Sequence, residues 1–467
     1  MTSDSNFSLI NQSFEQTWFE DLDVPWFEKK LFNQYVSIVR KHLKSKDYRS
    51  IVILTSGKVE LNVLTSLYLE LQMGLEVSKI ALPNGLVTWY ALNSELDEDS
   101  QTKWSLKFSD VGLNFAFSSP EIRGDTATER MYDARKAVQD FSNTLEGNPI
   151  ICWLDSDLSY NTLVPTKEGV EVQCPWPWLH MVWYLEQKYP LADLLVGDYT
   201  GDVPLPASST LYTNLMDYIH SPTNVEPDWS MRDPAYDLTG ENRLECIFPK
   251  LKGHWNQDFP LEVKLLWHGT YSRPLVSNRA ILSKPHKHRN VRGGNTIIFN
   301  LDLMKIPTPR FSFNSLMLRR GDSMWLTKAL SMGYESEHAP FPLLHSRGDF
   351  CGPISELISN FIHRSISDLI GASILKSMIQ LQNKSTSDYT SLFTDVLETR
   401  IFHLRSLMLD CKIILQSLKS ETESIHLKHV LEAITRLTEE LEKISLEELS
   451  NSSLLQHVVE YMEVDAC

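Results

Sequence analysis

The chain has 467 residues, 42% of them hydrophobic and 22% charged. That balance is the one ordinary globular proteins show, and the length exceeds what one hydrophobic core serves, so two or three domains are expected. The formal net charge of -16 disfavours nucleic acid as a partner, because phosphate binding rests on lysine and arginine.

In an acidic chain, a phosphorylated ligand requires a locally positive site, made by a metal or by converging arginines. Six cysteines without a CxxC pair provide neither a zinc site nor a disulfide framework, which suits free thiols in a reducing compartment. The stretch MTSDSNFSLINQ lacks the basic and apolar regions of a signal peptide. No apolar run is long enough to span a bilayer. The expectation is a cytoplasmic protein with no nucleic-acid partner and no transmembrane segment.

Residues 1–47 read as an N-terminal segment with one helical stretch, EKKLFNQYVSIVRKHLKSK. In RSIVILTSG a β-branched run, Ile51 to Leu54, stops at Thr55, Ser56 and Gly57. VELNVLTSLYLELQMGL has helical spacing and ends at Gly74. SKIAL and GLNFAF are strand candidates. DTATERMYDARKAVQDFSNTLEG then reads as a helix from an Asp or Thr cap to Gly147. In ICWLDSDLSY an apolar run from Ile150 to Leu154 ends on Asp155 and Asp157. Strands alternating with helices at this spacing predict an α/β unit with a largely parallel sheet. In such sheets ligands sit beyond the carboxyl ends of the strands.

LADLLVGDYTGDVPLP reads as a further buried strand and a Gly/Pro-punctuated loop, and residues 221–260 are polar and proline-rich. GGNTIIFNLDLM is a glycine pair opening a strand, and GDSMWLTKALSMG is a helix with an acidic first turn. Near Gly352 the pattern changes. Apolar residues recur at three and four in ISELISNFIHRSISDLIGASILKSMIQL and HLKHVLEAITRLTEELEKI, which predicts about four packed helices. The expected organisation is a helical segment at 1–47, an α/β domain at 48–350 and a helical bundle at 351–467. The bundle's apolar stripe packs on the α/β domain or pairs with a second copy, a homo-oligomer.

Two other acidic triplets, Asp21-Leu22-Asp23 and Asp97-Glu98-Asp99, lie in polar stretches. Only Asp155-Ser156-Asp157 follows an apolar run, with both carboxylates reachable from one side of the turn. Hard divalent cations take one or two such carboxylates plus substrate phosphates, although aspartate also favours any strand-ending turn. Arg289 and Arg292 flank Gly293 and Gly294, a loop whose bare backbone admits a ligand, or a plain turn. Asp322 begins a helix, as a cap or as a reactive group; His345 follows a proline-bounded apolar run, as a structural residue or a ligand. Trp176, Trp178 and Trp183 offer a stacking surface or core, and His286 and His288 lie in a basic, solvated stretch.

Taken in this order, the pieces resemble glycosyltransferases of the A-type (GT-A) fold, above all the inverting, family-two-like group, over residues 48 to 350. The resemblance implies a Rossmann-like, mainly parallel mixed sheet flanked by helices, here followed by the C-terminal helical domain. It implies transfer of a sugar from a nucleotide-diphosphate donor to a hydroxyl acceptor, with Mn²⁺ or Mg²⁺. Asp155 and Asp157 match the motif whose metal holds the donor diphosphate, and His345 the late metal ligand. Gly293 and Gly294, beside Arg292, match the glycine loop, and Asp322 the catalytic base. DARKAV matches an Ala-Arg pair ahead of the metal motif, making Arg135 a donor contact. The chain departs from the pattern at Gly321, where an acidic residue is usual, and in its first strand, which lacks the opening signature. Two other readings stand beside this one. A glycosyltransferase-like scaffold without catalysis would act through its helices. A sugar nucleotidyltransferase would need an early Gly-rich phosphate loop, which ILTSGKVELN does not provide.

Overall fold

The computed structural model describes residues 49–58, 64–69, 71–72, 86–93, 97–117, 127–155, 157–160, 162–165, 170–173, 193–202, 205–220, 260–268, 286–287, 296–345, 350–381, 389–418 and 425–463, besides Ser37 and Lys41. The SKIAL strand candidate, Trp176, Trp178, Trp183, His288, Arg289, Arg292, Gly293 and Gly294 lie outside the described residues.

The described residues form a mixed α/β structure around a nine-stranded sheet. Its first half is parallel: β3 (Leu113–Phe117), β2 (Val87–Asn93), β1 (Ile51–Lys58) and β4 (Ile150–Asp155) lie side by side in that order. The runs IVIL and IICWL are buried from end to end, as strands covered on both faces must be. Beyond β4 comes β10 (Thr296–Asn300), antiparallel to both β4 and β8 (Leu194–Gly201). The next strand, β13 (Ser336–His345), runs parallel to β8. The short strands β5 (Leu158–Ser159) and β9 (His286–Lys287) pair antiparallel with β13, and β6 (Thr162–Pro165) and β7 (Val170–Gln173) form a separate antiparallel pair. Thus β1, β4, β8 and β13 all point the same way, and their carboxyl ends share one edge.

Helices close both faces. On one, α1 (Glu98–Asp110) brings Phe108 against Trp89 and Phe115, and the Trp89 indole N–H donates to Thr55 Oγ1 at 2.8 Å. The Asp97-Glu98-Asp99 stretch is the start of this helix: the Asp97 side chain accepts from the Ser100 amide at 2.7 Å, an N-cap. On the other face, α2 (Ala127–Ser142) places Val138 against Val52 and Ile151, and α5 (Gly321–Ser331) places Trp325 against Trp153 and Phe299. Two further helices, α3 (Ala207–His220) and α4 (Leu261–Leu266), share a second core with the C-terminal helices.

Those C-terminal helices are α6 (Ile354–Leu381), α7 (Tyr389–Ser417), α8 (Ile425–Glu442), α9 (Leu446–Ser450) and α10 (Ser453–Glu463). In α6 burial extends around the helix, and small residues (Ser365, Ser373, Ser377) let neighbours approach. The Ser365 hydroxyl donates to Ser208 Oγ of α3 at 2.7 Å. The chain then returns to the sheet: Lys328 of α5 donates to the Met462 carbonyl at 2.7 Å, and the Tyr461 hydroxyl donates to the Pro307 carbonyl at 3.2 Å. No helix among the described residues is long and apolar enough to cross a membrane.

Candidate active site at the carboxyl edge of the sheet

Four strands deliver polar groups to the shared edge. Asp155 is the last residue of β4, in register with Ser56 of β1. The chain then crosses to the far side of the sheet, where β5 pairs with the end of β13: Leu158 opposes His345, and Ser159 opposes Leu344. That crossing sets Asp157 beside His345, 188 residues later, with Asp157 Oδ2 3.1 Å from His345 Nε2. At the end of β8, Gly201 has φ +87, and a Cβ there would lie 2.3 Å from the His345 carbonyl oxygen. Only glycine fits so close a passage in that conformation.

The passage leads to Asp202, whose backbone holds the histidine. Its N–H donates to the His345 carbonyl at 2.9 Å, and its carbonyl accepts from His345 Nδ1 at 2.6 Å. A carbonyl only accepts, so the Nδ1 proton is settled and Nε2 is the atom turned to Asp157. In a neutral ring that nitrogen would set its lone pair against a carboxylate oxygen. A cation shared by the two, a proton or a metal ion, resolves the conflict. This is the arrangement of a metal-ligating histidine, which as a rule donates its other N–H to a carbonyl or carboxylate. Two adjacent ligands of an octahedral ion bound at about 2.0–2.1 Å stand roughly 3 Å apart, and the Asp157–His345 spacing fits. Among the described residues no three His, Cys, Asp or Glu side chains stand together as a metal cage. A Mg²⁺- or Mn²⁺-type ion, which fills its shell with phosphate and water, needs fewer. Behind this pair, the Asp202 carboxylate meets His268 Nδ1 at 2.9 Å, both side chains fully buried.

The other carboxylates face Arg135 of α2. Its Nη2 donates to Asp322 Oδ2 at 2.6 Å; the arginine side chain is 6% exposed and the aspartate 29%. Burial works against the guanidinium charge, but Asp322 and Asp155 sustain it and hold its pKa above the ordinary value. Among the described residues, Arg135 Nη1 is buried with no hydrogen-bond partner, a cost of roughly 1–3 kcal/mol unless a further acceptor arrives. Burial, with Asp322 and Asp157 alongside, pushes the Asp155 carboxyl up to about 8. The Tyr132 hydroxyl donates to the Leu318 carbonyl at 2.6 Å, and burial pushes that phenol up to about 12.

Gly321 acquires a steric reason here. A Cβ at that position would lie 2.9 Å from the Tyr132 oxygen and 3.2 Å from Arg135 Nη1. The space an acidic side chain would need is taken by the tyrosine and the arginine that face Asp322.

The structure therefore brings Arg135, Asp155, Asp157, Asp322 and His345 to one edge, in two groups: Asp157 with His345, and Arg135 with Asp322 and Asp155. Arg292, Gly293 and Gly294 fall outside the described residues. Sequence reasoning passed over Asp202, His268 and Tyr132. Asp202 carried the same signal as Asp155, an acid directly after a buried strand; His268 and Tyr132 carried none.

No family model matches the chain, and no curated protein matches it. Among solved structures, the mannosyltransferase PcManGT from Pyrobaculum calidifontis, in complex with GDP-Man and Mn²⁺, is similar over 92% of each chain at 10% identity, with a TM-score of 0.34. A likeness at that TM-score carries no weight for fold or activity, and both rest on the chain's own geometry.

Proposed function

We propose that the protein is a metal-dependent glycosyltransferase of GT-A type, moving a sugar from a nucleotide-diphosphate donor to an acceptor hydroxyl with inversion. The observation that carries this reading is the meeting, at one sheet edge, of the Asp157–His345 pair with the Arg135–Asp322–Asp155 group. Asp157 and His345 would hold the divalent ion, with Asp155 beside them. When bound, that ion neutralises charge growing on the departing diphosphate. Asp322, partly open to solvent, takes the proton of the acceptor hydroxyl as its oxygen bonds to the anomeric carbon. The bond from that carbon to the diphosphate breaks, and its electron pair leaves with the phosphate. Arg135 orients Asp322 and offsets the negative charge of Asp322 and Asp155, and its Nη1 has a donor to spare for the donor substrate. The glycine loop with Arg292 completes the donor side in this reading.

Calorimetric titration of nucleotide diphosphates and nucleotide sugars, with and without Mn²⁺, tests it on the wild type, Asp157→Asn and Asp322→Asn. One nucleotide should bind only with metal and be lost in Asp157→Asn. Asp322→Asn should keep that binding while transfer falls by about 10²–10⁴-fold, the contribution of a general base. A second reading, a non-catalytic scaffold, draws on the engagement of Asp322 by Arg135 and on the glycine before it. Absence of binding under every metal condition would establish that reading instead.

A further inference from the structure

We infer that Asp368 of α6, with Ser367 and Gly371, is the positioning element for Asp322, so that the C-terminal helices are a working part of the site. The inference rests on the role proposed for Asp322. Asp322 follows a short antiparallel hairpin of β11 (Ser312–Phe313) and β12 (Leu316–Met317) and the turn at 318–320. Arg320, the residue before α5, has φ 76 and ψ 16, a left-handed conformation that costs a non-glycine residue roughly 1 kcal/mol or more. Such a conformation persists only where its surroundings impose it.

Here α6 imposes it. The Asp368 carboxylate is wholly buried and receives both arginines of the turn, Arg320 Nη2 at 3.0 Å and Arg319 Nε at 3.4 Å. The Ser367 hydroxyl donates to the Met317 carbonyl at 2.6 Å. Gly371 lets the Arg319 carbonyl press against the helix: a Cβ on it would stand 2.3 Å from that oxygen. From the opposite side Tyr132 holds the Leu318 carbonyl. Every residue from Met317 to Arg320 is thus gripped, and two residues on Asp322 projects toward Arg135. A buried carboxylate mid-helix is costly unless paired, and here its pairing fixes the launch angle of the base.

The test uses the full chain carrying D368N, with S367A as a milder change, and wild type and E432Q, an exposed residue of α8, as controls. Hydrogen–deuterium exchange over residues 317–326 should quicken about 10-fold in D368N and about 3-fold in S367A, with β4, β8 and β13 unchanged. On the nucleotide sugar that wild type turns over, kcat should fall about 10–100-fold while donor KM stays within about 3-fold, the signature of a misplaced group. Unchanged exchange over 317–326 overturns the inference, as does quickened exchange with undiminished kcat. If D368N does not fold, S367A decides by the same two measures. If wild type turns over no nucleotide sugar, the proposed function fails, and the exchange result alone decides whether Asp368 holds Asp322 in place.

Discussion

At the carboxyl edge of the sheet, Asp322 and Asp155 share one arginine, Asp155 is held well above its ordinary pKa, and a buried Arg135 nitrogen has no hydrogen-bond partner among the described residues. In the C-terminal helices the same chain does the opposite. Leu397, Leu404, Val430, Ile434 and Leu437 are fully buried in one apolar core, and exposed pairs such as Glu432–Arg436 lie at i, i+4 on the surface. One region is built on a broad apolar core; the other gathers carboxylates whose conflict a ligand or cation would relieve. The contrast separates what stabilises the protein from what acts, and Asp368 is where the first region reaches into the second.

Mutations on the two sides should therefore split stability from function. Leu437→Ala should cost about 2–5 kcal/mol, as lost burial and an unfilled cavity, while leaving metal-dependent nucleotide binding intact in the folded fraction. Urea unfolding would show it, and a loss below about 1 kcal/mol would mean the helical core is loosely packed. Arg135→Met should cost about 2 kcal/mol at pH 8. That is less than for a fully buried pair, because Asp322 is 29% exposed. Adding Asp322→Asn should return part of the loss, since the stranded charge goes with it. Strictly additive losses in that double variant would show that the two side chains do not interact in solution.

The two regions also differed in how far they could be read in advance. Helical periodicity from Ile354 onward is a local signal, and it led directly to α6 and α8. Abrupt ends of apolar runs likewise located β1, β4 and β8, and with them Asp155. The strand β2 and the helix α1 went unrecognised, because VTWYALN lies beside polar stretches and the acids at 97–99 resembled a solvated loop rather than a cap. Pairings were beyond local reading altogether. That Asp157 meets His345 depends on β5 reaching β13, and that Arg135 faces Asp322 depends on two helices packed on one sheet face. Gly321 read as a departure from the expected acid pair; only the neighbouring Tyr132 and Arg135 explain it.

The gentlest probe of the contrast is pH, because it titrates the conflict without deleting it. Asp155 has a folded pKa of about 8, against about 3.9 for an unfolded aspartate. Between those values the folded protein keeps a proton that the unfolded chain has lost, so Asp155 makes stability fall as pH rises from about 4 to about 8. Asp155→Asn removes that slope. The variant should match wild type near pH 4 and be several kcal/mol more stable at pH 8, a gain of the kind seen when an active-site charge conflict is removed. Under the proposed function, Mn²⁺ should reverse the ranking at pH 8, since the ion welcomes the ionised carboxylate that the empty protein resists. Thermal unfolding of both proteins at pH 4, 6 and 8, with and without Mn²⁺, measures all of this. Parallel curves at every pH would mean that Asp155 is ionised and at ease in the folded protein, and that the edge of the sheet stores no conflict for a metal to resolve.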